Sequence, residues 1–140
     1  MGQNCHVSNL SPQPISPLDG RYRATVAPLA DYFSEAALNK VRIQIEVEWL
    51  IWLVEKDLLG AGKSISEAEK LSLRKLYGDF DDTTISKLQT LEKKTRHDVK
   101  AIEYFIREKL GDLGRSDLSE MVHFALTSED VNNLSYAINI

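Results

Sequence analysis

An all-α fold is what this sequence predicts, and three observations carry that reading. From Ser34 to about Leu59 no proline or glycine interrupts a segment whose apolar residues recur at spacings of three and four. A second run, Leu91, Thr95, Val99, Ile102 and Ile106, has the spacing of another buried helical stripe. No stretch shows the strict polar/apolar alternation of a half-buried strand. With 140 residues, 43% hydrophobic and 27% charged, the chain is long enough and apolar enough for one globular domain with a core.

The elements follow in order. Residues 1 to 30 hold all four prolines, Pro12, Pro14, Pro17 and Pro28, so an extended, turn-rich leader is expected there. Within it, Ser16-Pro17-Leu18-Asp19-Gly20 has turn chemistry and is followed by Arg21-Tyr22. The helix from Ser34 to Leu59 is apolar on two sides. One side carries Leu38, Val41, Ile45, Trp49, Trp52 and Leu53, the other Ile43, Val47, Leu50 and Val54. Such a helix needs cover on both sides, either at the centre of a bundle or against a partner chain. The two tryptophans read as part of that core and not as a stacking platform.

Gly60-Ala61-Gly62-Lys63 is the expected stop, and Ser64 and Ser66 offer N-caps for a short helix from Ser66 to Tyr77. After a loop over 78–82, a long helix is expected from Thr83 to Leu110, with a break at Gly111 to Arg115. Ser116 to Leu126 reads as helix, and Thr127-Ser128-Glu129-Asp130 restarts a helix still running at Ile140. A chain that stops inside an amphipathic helix without a terminator reads as truncated. The domain expectation is thus a leader over 1–30, a helical domain over 31–126, and the truncated start of a further helical bundle over 127–140.

Composition excludes several functions. A net charge of −4 without any run of Lys or Arg speaks against nucleic acid as a partner. No apolar run of transmembrane length and no signal peptide occurs, so no membrane partner is expected. The single cysteine, Cys5, excludes an internal disulfide and fits a reducing cytoplasm. His6 stands where an N-myristoylation motif needs Ser or Thr. Cys5, His6, His97 and His123 lack metal-site spacing, so no metal is expected.

Four groups of residues have functional as well as plain structural readings. On a continuous helix His97 falls about 200° from Thr95, nearly opposite the buried stripe, beside Ala101 and Tyr104. It is either an exposed bystander on a face of i,i+4 ion pairs or part of a second working surface. Asp98, next to it in sequence, does not face it on a helix and is not assumed to orient it. Thr127, with Asp130 three residues on, resembles a capping box. A helix start with two hydroxyls, Thr127 and Ser128, is equally an anion site. Arg21-Tyr22 pairs a guanidinium fork with a phenol, suited to phosphate or merely exposed. His123, among Met121, Val122, Phe124 and Ala125, reads as a hydrogen-bonded, partly buried histidine and not a catalyst.

Four ordered stretches then carry a resemblance: Ser16 to Tyr22, Lys40 to Leu50, Thr95 to Phe105, and His123 to Asn133. Together they resemble the N-terminal part of the adenylosuccinate lyase family, within the fumarase/aspartase superfamily. That resemblance implies a homotetramer with a central bundle of long helices, active sites shared between subunits, and no metal or organic cofactor. It implies β-elimination of fumarate from adenylosuccinate, giving AMP, and from a succinylated aminoimidazole carboxamide ribotide. Arg21 and Tyr22 match the family's contact to the nucleotide phosphate. Arg96, His97 and Asp98 match a substrate-binding segment whose histidine positions substrate, and Thr127 and Ser128 match hydroxyl donors to it. The family's catalytic acid, a second histidine, and its base, a serine on a mobile loop, are expected beyond residue 140. This piece alone should therefore be inactive.

Two other readings compete. A different fumarate-releasing lyase, such as argininosuccinate lyase, is disfavoured by the Thr-Arg-His-Asp-Val and Asp-Gly-Arg-Tyr segments. A non-catalytic helical interaction module would leave His97, Arg21 and Thr127 mutually distant.

Overall fold

A computed structural model describes residues 14–140. The sequence readings that concern Cys5, His6 and Pro12 fall outside the described residues. The elements are α1 (Arg23–Val26), α2 (Ala30–Phe33), α3 (Glu35–Glu55), α4 (Glu67–Gly78), α5 (Asp82–Thr95), α6 (Asp98–Asp112) and α7 (Ser128–Asn139), with 3₁₀ turns at Ala27–Leu29 and Ser116–Met121. Among the described residues there is no strand, as the all-α expectation required.

Helix α3 is the central element, with α2, α4, α6 and α7 all packed on it and α5 packed on α6. The stripe of Ile43, Val47, Leu50 and Val54 is buried, and joins Leu73 of α4, Leu88 of α5, Ile102, Phe105, Ile106 and Leu110 of α6, and Leu118, Met121 and Val122 beyond it. The opposite stripe is covered only in part. Helix α7 runs antiparallel along it, with Phe124 beside Trp49 at its start and Asn139 and Ile140 beside Tyr32 and Leu38 at its end. Trp52 remains exposed in the groove between them and stacks on Trp49 at 5.0 Å between ring centroids.

Capping chemistry sets the boundaries. Ser34 caps α3 by accepting from the Ala37 amide, and Ser66 with Glu69 forms a complete capping box at α4. Four expectations are corrected. The leader is not extended through residue 30, because Arg23 to Phe33 winds into short helical turns, with Pro28 at the start of a 3₁₀ turn where its missing N–H costs nothing. Helix α3 ends at Glu55, well before Gly60. There Asp57 takes a left-handed conformation (φ 44°), and the Leu58 and Asp57 amides close onto the Leu53 and Val54 carbonyls. The expected helix over Thr83–Leu110 is two helices broken at Arg96. Residues 116–126 form a 3₁₀ turn and then an irregular connection with left-handed His123 (φ 62°) and Ala125 (φ 61°).

Candidate functional site

His97 does not lie within a helix, so the wheel geometry placing it opposite the core stripe does not apply. Arg96 ends α5 in a left-handed conformation (φ 52°), and His97 is extended and caps α6. The Thr95 hydroxyl holds the corner. It donates to the His97 carbonyl at 2.9 Å and accepts from the His97 amide at 3.3 Å. The imidazole Nδ1 accepts from the Lys100 amide at 3.2 Å. A nitrogen that accepts carries no proton, so in the neutral ring the proton sits on Nε2. The ring side chain is 48% exposed, so His97 presents an N–H donor outward from the start of a fifteen-residue helix.

Asp98 faces inward. Its Oδ1 accepts from the Val99 amide and its Oδ2 from the Arg42 guanidinium at 2.7 Å. Burial alone would raise its carboxyl, but the Val99 N–H and the Arg42 charge outweigh burial and hold it below the ordinary value. Its oxygen lies 3.6 Å from His97 Nδ1, which has no proton to give it, so Asp98 does not orient the ring by a hydrogen bond.

Arg42 is 4% exposed and was not singled out by sequence reasoning. Its three nitrogens donate to Asp98 of α6, Asn132 of α7 and Asn39 of its own helix. One turn further along α3, fully buried Glu46 accepts from or shares a proton with His123 Nδ1 at 2.5 Å, while its second oxygen has no hydrogen-bond partner among the described residues. Burial pushes the Glu46 carboxyl up, against the opposing pull of His123. Buried Glu103 approaches the other face of His123 at 3.9 Å and is tied to Lys100. His123 is thus partly buried and hydrogen-bonded, as expected of it.

At the start of α7, Thr127 and Asp130 form a reciprocal capping box. The Thr127 hydroxyl donates to Asp130 at 2.7 Å, so its one proton is already committed. The Ser128 hydroxyl makes no hydrogen bond to the described residues, and the Ser128 and Glu129 amides are the uncommitted donors of this helix start.

Three of the four sequence stretches therefore meet. Arg42 and Glu46, spaced i,i+4 on α3, join the Thr95–Phe105 stretch to the His123–Asn133 stretch through Asp98, Asn132 and His123. The Arg21-Tyr22 pair is not joined to them. Arg21 lies over the Tyr22 ring at 4.8 Å and makes no hydrogen bond to His97, Asp98, Thr127 or Ser128. The preceding turn is rigid by its own chemistry: Asp19 accepts from the Ile15 and Ser16 amides, which lower its carboxyl below the ordinary value. Among the described residues no group of His, Cys, Asp or Glu is arranged to hold a metal ion, and no helix is long and apolar enough to cross a membrane.

A left-handed arginine is costly, at roughly 1–2 kcal/mol for a residue with a Cβ. Arg96→Gly should therefore raise the stability of the chain by about 1 kcal/mol in urea unfolding. No gain would mean that the Arg96 side chain, which flanks Gln89, Glu92 and Lys93, compensates its own backbone.

Residues 20–140 match the protein family described as "Lyase". The chain is 41% identical, over 98% of its length, to the adenylosuccinate lyase of Dictyostelium discoideum. It is 44% identical to that of Buchnera aphidicola subsp. Baizongia pistaciae and 40% identical to that of Escherichia coli (strain K12), each over 89% of its length. The chain spans 30% of the first of these curated relatives and 27% of the other two.

Proposed function

The chain belongs to the lyase family, and from that premise we propose that it is the N-terminal portion of an adenylosuccinate lyase. The observation that carries this reading is the 40–44% identity, across 89–98% of the chain, to the three relatives of that name. In the reaction a C–H proton is taken by a base, the C–N bond breaks, and the departing nitrogen receives a proton from an acid. Fumarate leaves, with AMP from adenylosuccinate or the carboxamide ribotide from the related succinylated substrate.

This chain's part in that reaction is binding and positioning. The His97 Nε2–H is an outward donor suited to a substrate carboxylate or phosphate. Ser128 and the open amides of α7 offer donors at a positive helix end. In the intact assembly we place Arg21 and Tyr22 on the nucleotide phosphate, Arg96 and Asp98 in the substrate-binding segment, and Thr127 beside Ser128. We also assign the intact protein to a cytoplasmic homotetramer whose sites are completed by neighbouring subunits, and whose acid and base come from residues that this chain does not contain. No metal or organic cofactor enters the reaction.

The test is fumarate release. The intact protein should convert adenylosuccinate, and the 140-residue chain alone should not. A positioned acid and base each contribute typically ~10²–10⁴ in rate, so their absence should silence the chain. An intact protein that fails to release fumarate from adenylosuccinate would remove this reading.

A further inference from the structure

We infer that Arg42 is a positioning residue, which holds the His97 corner and the start of α7 in one frame by gripping Asp98 and Asn132 with a single guanidinium. Its consequence for turnover rests on the function proposed above; its structural half does not.

The geometry is specific. Arg42 Nη2 donates to Asp98 Oδ2 at 2.7 Å, Nε to Asn132 Oδ1 at 3.0 Å, and Nη1 to Asn39 Oδ1 at 3.0 Å. Asp98 is the first residue of α6 and the immediate neighbour of the capping histidine, so a displaced Asp98 carries the imidazole with it. Asn132 lies one turn inside α7, and the Thr127–Asp130 box ties the helix start rigidly to that turn. Two donors thus act on two helix starts, and the third anchors the fork to its own helix.

Stability alone does not account for an arginine here. Position 42 lies between buried Val41 and Ile43, where an apolar side chain would seal the junction without the desolvation cost of a buried charge. What an apolar residue cannot supply is direction. A planar fork with fixed donor angles specifies where two acceptors stand relative to each other, and a lysine ammonium, a point donor on a flexible stem, does not.

The test uses the side-chain nitrogen signals of His97 in the 140-residue chain, which report its tautomer, together with amide exchange at Lys100. The Trp49 indole N–H, bonded to the Phe124 carbonyl, reports whether the fold persists. Arg42→Lys should retain the Trp49 signal, yet mix the His97 tautomers and speed Lys100 exchange by about tenfold. Arg42→Met should do the same or lose the Trp49 signal, in which case the Lys variant decides. Asn132→Ala should shift the Thr127 and Ser128 signals and leave His97 alone; Asn39→Ala should disturb neither. An Arg42→Lys variant with an unchanged His97 tautomer, or an Asn39→Ala variant that disturbs His97 as much, would overturn the inference. In the intact protein, Arg42→Lys should lower kcat by about 100-fold and move KM by less than about threefold. Absence of fumarate release from the unmodified protein would count against the lyase reading, and the His97 signals would still judge Arg42.

Discussion

His97→Asn in the intact protein should lower turnover by about 10²–10³, the usual loss when one positioned hydrogen-bond donor is removed from a developing or bound anion. The choice of asparagine follows from the geometry. His97 has two jobs: Nδ1 caps α6 through the Lys100 amide, and Nε2–H faces outward. Alanine removes both, and losing an N-cap costs typically ~0.5–2 kcal/mol, so a silent His97→Ala variant could be silent only because the helix start has frayed. Asparagine is among the best N-caps and restores the first job without the second. The expected pattern is therefore an alanine variant that is destabilised and inactive beside an asparagine variant that is stable and inactive. If asparagine restores both stability and turnover, His97 is only a cap, and the bystander reading of this histidine returns.

That double role also shows where the sequence could be read and where it could not. The start of α3 at Ser34, the box at Ser66-Glu69 and the box at Thr127-Asp130 were legible because an N-cap is local chemistry, complete within four residues. The break at Arg96 was not. Lys93-Lys94-Thr95-Arg96-His97-Asp98 contains no glycine or proline, and the apolar spacing of Leu91, Val99 and Ile102 continues across it as if the helix were whole. The break is made by a left-handed arginine and a histidine cap, neither of which periodicity can report. The stop at Asp57 was hidden similarly, since Leu58 and Leu59 extend the apolar pattern past the true end of α3.

Arg42 and Glu46 left a different kind of trace. The two apolar faces of α3 were recognised, but the charges between them were not followed to their consequence: a charge between two covered faces is itself covered, and must find a partner. Which partner is a matter of tertiary structure. Asp98 is 56 residues from Arg42 and His123 is 77 from Glu46, separations at which no spacing rule operates.

Glu46 bears the second large expectation. Glu46→Ala should destabilise the chain by roughly 3–5 kcal/mol, because it leaves His123 beside buried Glu103 with its hydrogen-bond partner gone and a void among Ile43, Val47 and Leu50. Glu46→Gln should be far milder, within about 1 kcal/mol of the parent at pH 7, since the amide keeps the shape and one hydrogen bond to the ring without a buried charge. The pH dependence separates the two effects. Burial raises the Glu46 carboxyl above 4.5 in the folded chain. Between 4.5 and that raised value the unfolded chain has released the proton and the folded chain still holds it, so stability falls as pH rises through the window. Asp98, held below its ordinary value of 3.8, acts in the opposite sense, and its contribution disappears only as pH falls beneath that value. Urea unfolding of parent and Glu46→Gln from pH 4.5 upward should then show a decline in the parent that the glutamine variant lacks. Equal slopes would mean that Glu46 stays ionised throughout, neutralised by His123. An alanine variant as stable as the parent would mean that this buried carboxylate does not hold the 122–127 connection against α3.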